Sequence, residues 1–225
     1  MTNLQRVLEN YSKKPIKILD NSTPFNAYCP LDLSETNSAL NDIDITNHKD
    51  CQTYIDEVLK ANNAQVAYGG YLEKRNLYAD KSSFSSERLH RNIHLGIDFW
   101  AEAGTKVLAP LKGEIQSFQN NAAVGDYGPT MILEHKLENI VFYTLYGHLS
   151  LASIALLQIG QKFEAGDSIA TLGTPDINVN YAPHLHFQII KDLEGNSGDY
   201  PGVAAENQLD FYAKNCPNPN FLLKI

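Results

Sequence analysis

Three short segments of this chain combine residue types and spacings that could do metal chemistry. In Ile93-His94-Leu95-Gly96-Ile97-Asp98-Phe99-Trp100 the odd positions are apolar, while even positions hold His94, Gly96 and Asp98. Side chains alternate between the faces of an extended strand, so His94 and Asp98 share one face, with room above Gly96 for an ion. In His184-Leu185-His186-Phe187-Gln188-Ile189-Ile190 the residues Leu185, Phe187 and Ile189 fall on one face, and His184, His186 and Gln188 on the other. Histidines at i and i+2 stand about 7 Å apart along a strand, which suits one ligand and one neighbour rather than two ligands. The third segment, Phe142 to Ser150, closes a strand with Tyr146-Gly147-His148, where functional side chains often emerge from a rigid scaffold.

An isolated histidine is usually a surface residue or a hydrogen-bonded core residue, and that role is expected for His48, His90 and His135. The His94–Asp98 pair alone would still favour it. Four of the seven histidines lie on otherwise apolar strands beside an aspartate, however. Burying so many imidazoles without a ligand leaves polar groups to satisfy. Metal binding is the economical explanation. Two imidazoles and one carboxylate around zinc leave a coordination position open for water or a substrate carbonyl, the arrangement of a catalytic site. The sequence contains no HExxH helix, so the usual glutamate base is absent. Imidazole, with a pKa near neutrality, is a credible replacement.

These residues need rigid elements to hold them. From Gln65 onward, short runs rich in β-branched and aromatic residues alternate with turn signals, and strands are expected at 107–110, 113–118, 130–134, 140–145, 168–172 and 184–190. Only Leu151 to Leu157 reads as a helical turn in this half. Before it, Leu4, Val7, Leu8 and Tyr11 mark an amphipathic helix over 2–14, and Tyr54, Ile55, Val58 and Leu59 mark a second over 48–62, capped by Thr46 or Asn47. The stretch from Pro15 to Asp44 reads as loop with short extended pieces. The expected fold is mainly β, an antiparallel sandwich or partly open barrel spanning 81–225. Residues 1–80 form a small helical and loop extension packed on it.

The bulk numbers fit a soluble globular protein: 225 residues, 43% hydrophobic and 20% charged. A net charge of −8 argues against a nucleic-acid binder. No leader and no apolar run of membrane-spanning length are visible. Three cysteines, Cys29, Cys51 and Cys216, cannot all pair and fit reduced thiols. The expected compartment is the cytoplasm, or the cell envelope if another export route operates.

The three segments resemble the M23 zinc metallopeptidases of lysostaphin and LytM type. The H-x-x-x-D motif is matched by His94 and Asp98, the H-x-H motif by His184 and His186, and the central histidine motif by Tyr146 to Ser150. The resemblance covers about 89–191. It implies a duplicated hybrid β-motif, one zinc per chain on His94, Asp98 and His186, and His148 and His184 as the catalytic histidines that do not bind metal. Which of the two is the base stays open. It also implies hydrolysis of peptide bonds of the kind found in peptidoglycan cross-bridges. A weaker likeness to M23-type domains joined to small-molecule kinase and aminotransferase domains points instead to a small amide or peptide substrate. Two other readings are a zinc-stabilised module that activates a partner enzyme without cutting, and a phosphocarrier, which has no use for Asp98. Tyr71 and Arg75 could line the cleft and read a substrate carboxylate, but a packing strand with a solvated charged end is the favoured reading there. Asp126 and Tyr127, in a glycine-rich loop, could border the cleft.

Overall fold

In the computed structural model, which describes residues 2–20, 22–76, 85–86, 89–123 and 125–225, the chain is mainly β with short helices. The elements in order are α1 (Asn3–Tyr11), β1 (Tyr28–Pro30), α2 (His48–Ala61), β2 (Val66–Gly69), β3 (Ser85–Ser86), β4 (Leu89–His94), β5 (Ile97–Trp100), β6 (Lys106–Leu108), β7 (Gly113–Asn121), β8 (Gly128–Leu137), β9 (Ile140–Gly147), α3 (Leu151–Ile154), β10 (Lys162–Phe163), β11 (Ser168–Thr171), β12 (His184–Ile190), β13 (Val203–Ala205), α4 (Leu209–Asn215) and α5 (Asn220–Leu223). Eight strands form one sheet in the order β1-β2-β5-β12-β9-β8-β7-β10. Its pairings are antiparallel except β1 with β2. The strands β11 and β6 form a second sheet, and β13, β4 and β3 a third.

Both faces of β12 are buried along its whole length. Leu185, Phe187 and Ile189 enter the main core with Ile97, Phe99, Met131 and Leu133, which leaves the histidine-bearing face to the site. Leu4 and Leu8 of α1 and Leu222 and Leu223 of α5 join that same core, so both ends of the described chain are tied to the sheet. Full burial of each such leucine stabilises the fold by roughly 1.5–3 kcal/mol. The hydroxyl of Thr2 accepts from Gln5 N, and the Gln5 side chain answers to the Thr2 backbone, a capping box that starts α1 where its apolar stripe begins. Asn47 caps α2 by accepting from Lys49 N.

Three features differ from the sequence expectation. The stretch 93–100 is not one strand: it breaks at Leu95-Gly96 into β4, which pairs with β13, and β5, which pairs with β2 and β12. Residues 28–30, within the loop expected to carry short extended pieces, and 66–69, within the packing strand favoured above, join the large sheet rather than a helical and loop extension packed on it. The C-terminal pieces β13, α4 and α5 are too short to show a period; burial of Val203, Cys216, Leu222 and Leu223 holds them instead. The expected division between residues 80 and 81 lies outside the described residues. Cys29, Cys51 and Cys216 are free and buried. Among the described residues no helix is long and apolar enough to cross a membrane.

Candidate metal centre

Strand register brings the chemistry together. Antiparallel pairing of β12 with β5 sets His186 opposite Asp98, and pairing with β9 sets it opposite Gly147. His94 ends β4, and the break at Leu95-Gly96 lets the chain turn so that Asp98 follows in a different sheet. A Cβ on Gly96 would stand 2.8 Å from His186 Cε1, so the space above this glycine holds the His186 ring and not an ion, as its position in the sequence suggested.

Three atoms then converge. His94 Nε2 lies 2.8 Å from His186 Nδ1 and 3.2 Å from Asp98 Oδ1, and His186 Nδ1 lies 3.1 Å from that same oxygen. All three residues are buried. Each ring is anchored through its other nitrogen. His94 Nδ1–H donates to the Gly70 carbonyl at 2.9 Å, and His186 Nε2–H donates to Gln188 Oε1 at 2.9 Å. Gln188 can offer only its oxygen there, because its amide nitrogen donates to Pro201 O and to Cys216 Sγ. These outer bonds fix the tautomers. In the neutral rings the two inner nitrogens therefore carry lone pairs, facing each other and a carboxylate oxygen. Such a cluster repels itself unless a cation lies among the three donors. Around tetrahedral zinc with bonds of about 2.0–2.1 Å, neighbouring ligand atoms stand about 3.3 Å apart, close to the separations here. The donor set fits that ion.

Asp98 is held from behind. Arg75 Nη1 donates to Asp98 Oδ2 at 2.5 Å and Arg75 Nε to Glu73 Oε2 at 2.5 Å, with the guanidinium 5.6 Å from the Trp100 ring centre. Burial opposes the Asp98 charge, but the neighbouring His94 and the Arg75 guanidinium hold its carboxyl well below the usual range. Burial and the Arg75 charge push His94 down to about 4, against the pull of Asp98.

His148 and His184 stand beside this cluster with ring centres 4.1 Å apart. His184 donates from Nδ1 to the Ala182 carbonyl at 2.7 Å and stacks on Trp100, which leaves its Nε2 as an acceptor. His148 sits at φ 62°, a left-handed conformation unusual for a non-glycine residue and found at functional sites. Backbone bonds hold it there, from His148 N to Tyr127 O and from Gly173 N to His148 O. Its Nδ1 is buried and makes no hydrogen bond. Burial, then the neighbouring histidines, keep His148 well below its ordinary pKa, and burial lowers His184 as well. Both rings are neutral near pH 7. A cleft of about 180 Å³ opens over the group, bordered also by Tyr127, Tyr181, Arg91 and the stretch 199–203.

The five residues expected at the site, His94, Asp98, His148, His184 and His186, all line this one cleft. Asp126 and Tyr127 border it too. Tyr71 does not: its hydroxyl donates to Cys216 O. Arg75 departs from the favoured reading, since it is 1% exposed and lies beneath Asp98 rather than at a solvated strand end. His135 is the core histidine expected, with Nδ1 on Lys112 O and Nε2 on Thr144 Oγ1. Gly70, Arg91 and the wall at 199–203 were not singled out. Gln188 was legible only as a polar residue sharing a face with two histidines.

Residues 92–199 match the family model described as peptidase family M23. An uncharacterized metalloprotease of Haemophilus influenzae is 35% identical over 95 residues, covering 42% of this chain and 18% of that protein, so the chain spans less than a fifth of this relative's length. Among solved structures, the catalytic domain of the antimicrobial peptidase lysostaphin from Staphylococcus simulans is 24% identical, covering 67% of this chain and 93% of that one, with a TM-score of 0.39. A chain of the SpoIIQ–SpoIIIAH pore-forming complex is 21% identical, covering 71% of this chain and 85% of that one, with a TM-score of 0.43.

Proposed function

We propose, from the premise that residues 92–199 belong to peptidase family M23, that this chain is a zinc-dependent hydrolase of amide bonds in a peptide or small amide. The observation that carries the reading is the meeting of three electron-pair donors, His94 Nε2, Asp98 Oδ1 and His186 Nδ1, within 2.8–3.2 Å of one another in a buried site. In this reading those three residues hold one zinc ion per chain. When bound, zinc polarises a carbonyl and lowers the pKa of a bound water toward ~7.

The chain's own residues supply the proton handling. His184 Nε2, a lone-pair acceptor because Nδ1–H is tied to the Ala182 carbonyl, takes the proton of the attacking water, and only the ring so protonated can donate to the oxyanion. His148 Nδ1, buried and without a hydrogen bond, is the other nitrogen of the pair left free of competing bonds. At a 4.1 Å ring separation the pair carries one proton at a time, because two imidazolium charges so close repel strongly. That proton is then available to the leaving amine. Burial of both rings keeps them neutral and ready to accept at neutral pH.

A cleft of about 180 Å³ is small beside the roughly 300–1,000 Å³ of sites for drug-sized ligands, which favours a short peptide or amide. The test is metal analysis of the purified chain, then incubation with peptides, muropeptides, cross-bridge peptides and small amides, with and without chelator, scored by mass spectrometry. One zinc per chain and chelator-sensitive cleavage are expected. A zinc-loaded protein that leaves every substrate intact would move the reading to a module that binds zinc without cutting.

A further inference from the structure

The cleft carries charges that amide hydrolysis leaves unused. Asp126 and Asp199 both line it, each partly buried, together with Arg91. Among the described residues, two carboxylates and one guanidinium line that end. The carboxylate of Asp98 belongs to the metal centre, where it faces His94 and His186 and is bonded from behind by Arg75.

The wall bearing these carboxylates is built rigidly. Asn121 Nδ2 donates to Gly198 O at 2.9 Å, Gly198 N to Ser117 Oγ at 2.8 Å, and the Tyr127 hydroxyl to Tyr200 O at 3.1 Å. A Cβ on Gly202 would fall 1.9 Å from the Tyr127 hydroxyl, so a side chain there would push Tyr127 off its bond to Tyr200 O. Asp126 and Asp199 are the chain neighbours of Tyr127 and Tyr200, the two residues of that contact. Elsewhere in the cleft His148, 5% exposed, keeps its buried Nδ1 without a hydrogen bond, a second polar position that awaits a ligand group.

We propose that the cleft selects amides carrying a free amino group, with the ammonium seated against Asp126 and Asp199. The inference rests on the hydrolase reading above and names its substrate class. The fit is to an organic cation rather than a second metal: among the described residues the group of His, Cys, Asp and Glu able to hold an ion is His94, Asp98 and His186. Burial raises both carboxyls from their ordinary 3.8, and Asp199 adds to the effect on Asp126. An arriving ammonium relieves that tension.

The test uses zinc-loaded protein and alanyl-alanine in its four stereochemical forms, each free and N-acetylated. Cleavage is followed by kcat/KM, and binding by calorimetry on zinc-loaded His184→Ala. For the preferred stereoisomer, free amines are expected to exceed acetylated partners by about 10- to 100-fold in either measurement. Asp126→Asn and Asp199→Asn should shrink that ratio while leaving the acetylated forms and the zinc content unchanged, which also reports that the variants fold. Equal handling of both forms, preference for the acetylated one, or no binding of either overturns the proposal. Amine-selective binding without cleavage of anything would retain it and sink the hydrolase reading alone.

Discussion

His135 and His186 are buried imidazoles in the same sheet, with only β9 between their strands, and they are 1% and 3% exposed. Both have one nitrogen on an oxygen acceptor, Lys112 O for His135 and Gln188 Oε1 for His186. They differ at the other nitrogen. His135 Nε2 accepts from the Thr144 hydroxyl at 2.6 Å, and Thr144 Oγ1 lies 3.0 Å from the Tyr146 hydroxyl. His186 Nδ1 meets His94 Nε2 and Asp98 Oδ1, neither of which has a proton to give when the rings are neutral. Depth of burial thus does not separate these two histidines. The fate of the second nitrogen does: closed by the protein in one case, left facing two other electron-pair donors in the other.

The comparison breaks most visibly at the convergent atoms. His94→Ala or His186→Ala should abolish stoichiometric zinc and drop hydrolysis to background, read by metal analysis and by product formation. If His135→Ala removed the metal equally well, the distinction would be false. His148→Ala and His184→Ala form the next step down. Each should keep one zinc per chain yet lose about 100- to 10,000-fold in kcat, the range of a positioned acid or base. Loss of zinc in either variant would make that histidine a ligand instead.

How much of this was legible in the sequence depended on period. Strand alternation put His184, His186 and Gln188 on one face and the apolar residues on the other, and the structure keeps that division. The same rule succeeded at His94 and Asp98 for a different reason than expected. They meet because the strand breaks at Gly96 and His186 fills the gap, and not because one strand carries both. Gln188 apart, the residues that orient the cluster come from chain outside the matched family region: Gly70 and Arg75 before it, Pro201 and Cys216 after it. Glu73-Lys74-Arg75 looks like a solvated charged end because local pattern cannot show that a distant carboxylate will neutralise a buried guanidinium. The wall at 198–203 has no period at all; its hydrogen bonds to Ser117, Asn121 and Tyr127 are long-range.

Arg75 sharpens the comparison at the carboxylate. It occupies Asp98 Oδ2 and so turns Oδ1 toward the histidines. Arg75→Lys keeps a positive charge but loses the fork that spans Glu73 and Asp98. Zinc affinity should weaken by about 10- to 100-fold, as for other outer-shell changes, measured by competition with a chromogenic chelator. The deficit should widen as pH falls, because Asp98 without a well-placed guanidinium holds its proton to higher pH and zinc must displace it. An affinity equal to wild type at pH 8 and pH 6 would reduce Arg75 to a packing residue.

The smallest effect belongs to the closed histidine. Burial pushes His135 from 6.5 down to about 4, partly offset by its bond to the Lys112 carbonyl. Folded protein therefore holds the ring neutral while the unfolded chain takes up a proton below about 6.5. Stability from this residue is full above that pH and falls as the solution is acidified toward 4, by about 3 kcal/mol over the whole window. His135→Gln gives up the ring's two bonds and should be less stable by about 1–3 kcal/mol at pH 8 in urea denaturation of zinc-loaded protein. At pH 5 the wild type has lost about 2 kcal/mol that the variant never had to lose, so the gap should close or reverse. The cluster histidines share no partner with His135, and their titration cancels in the difference. A gap of the same size at both pH values would mean that His135 is not held neutral in the fold, and the contrast drawn between its closed ring and the open one of His186 would lose its physical basis.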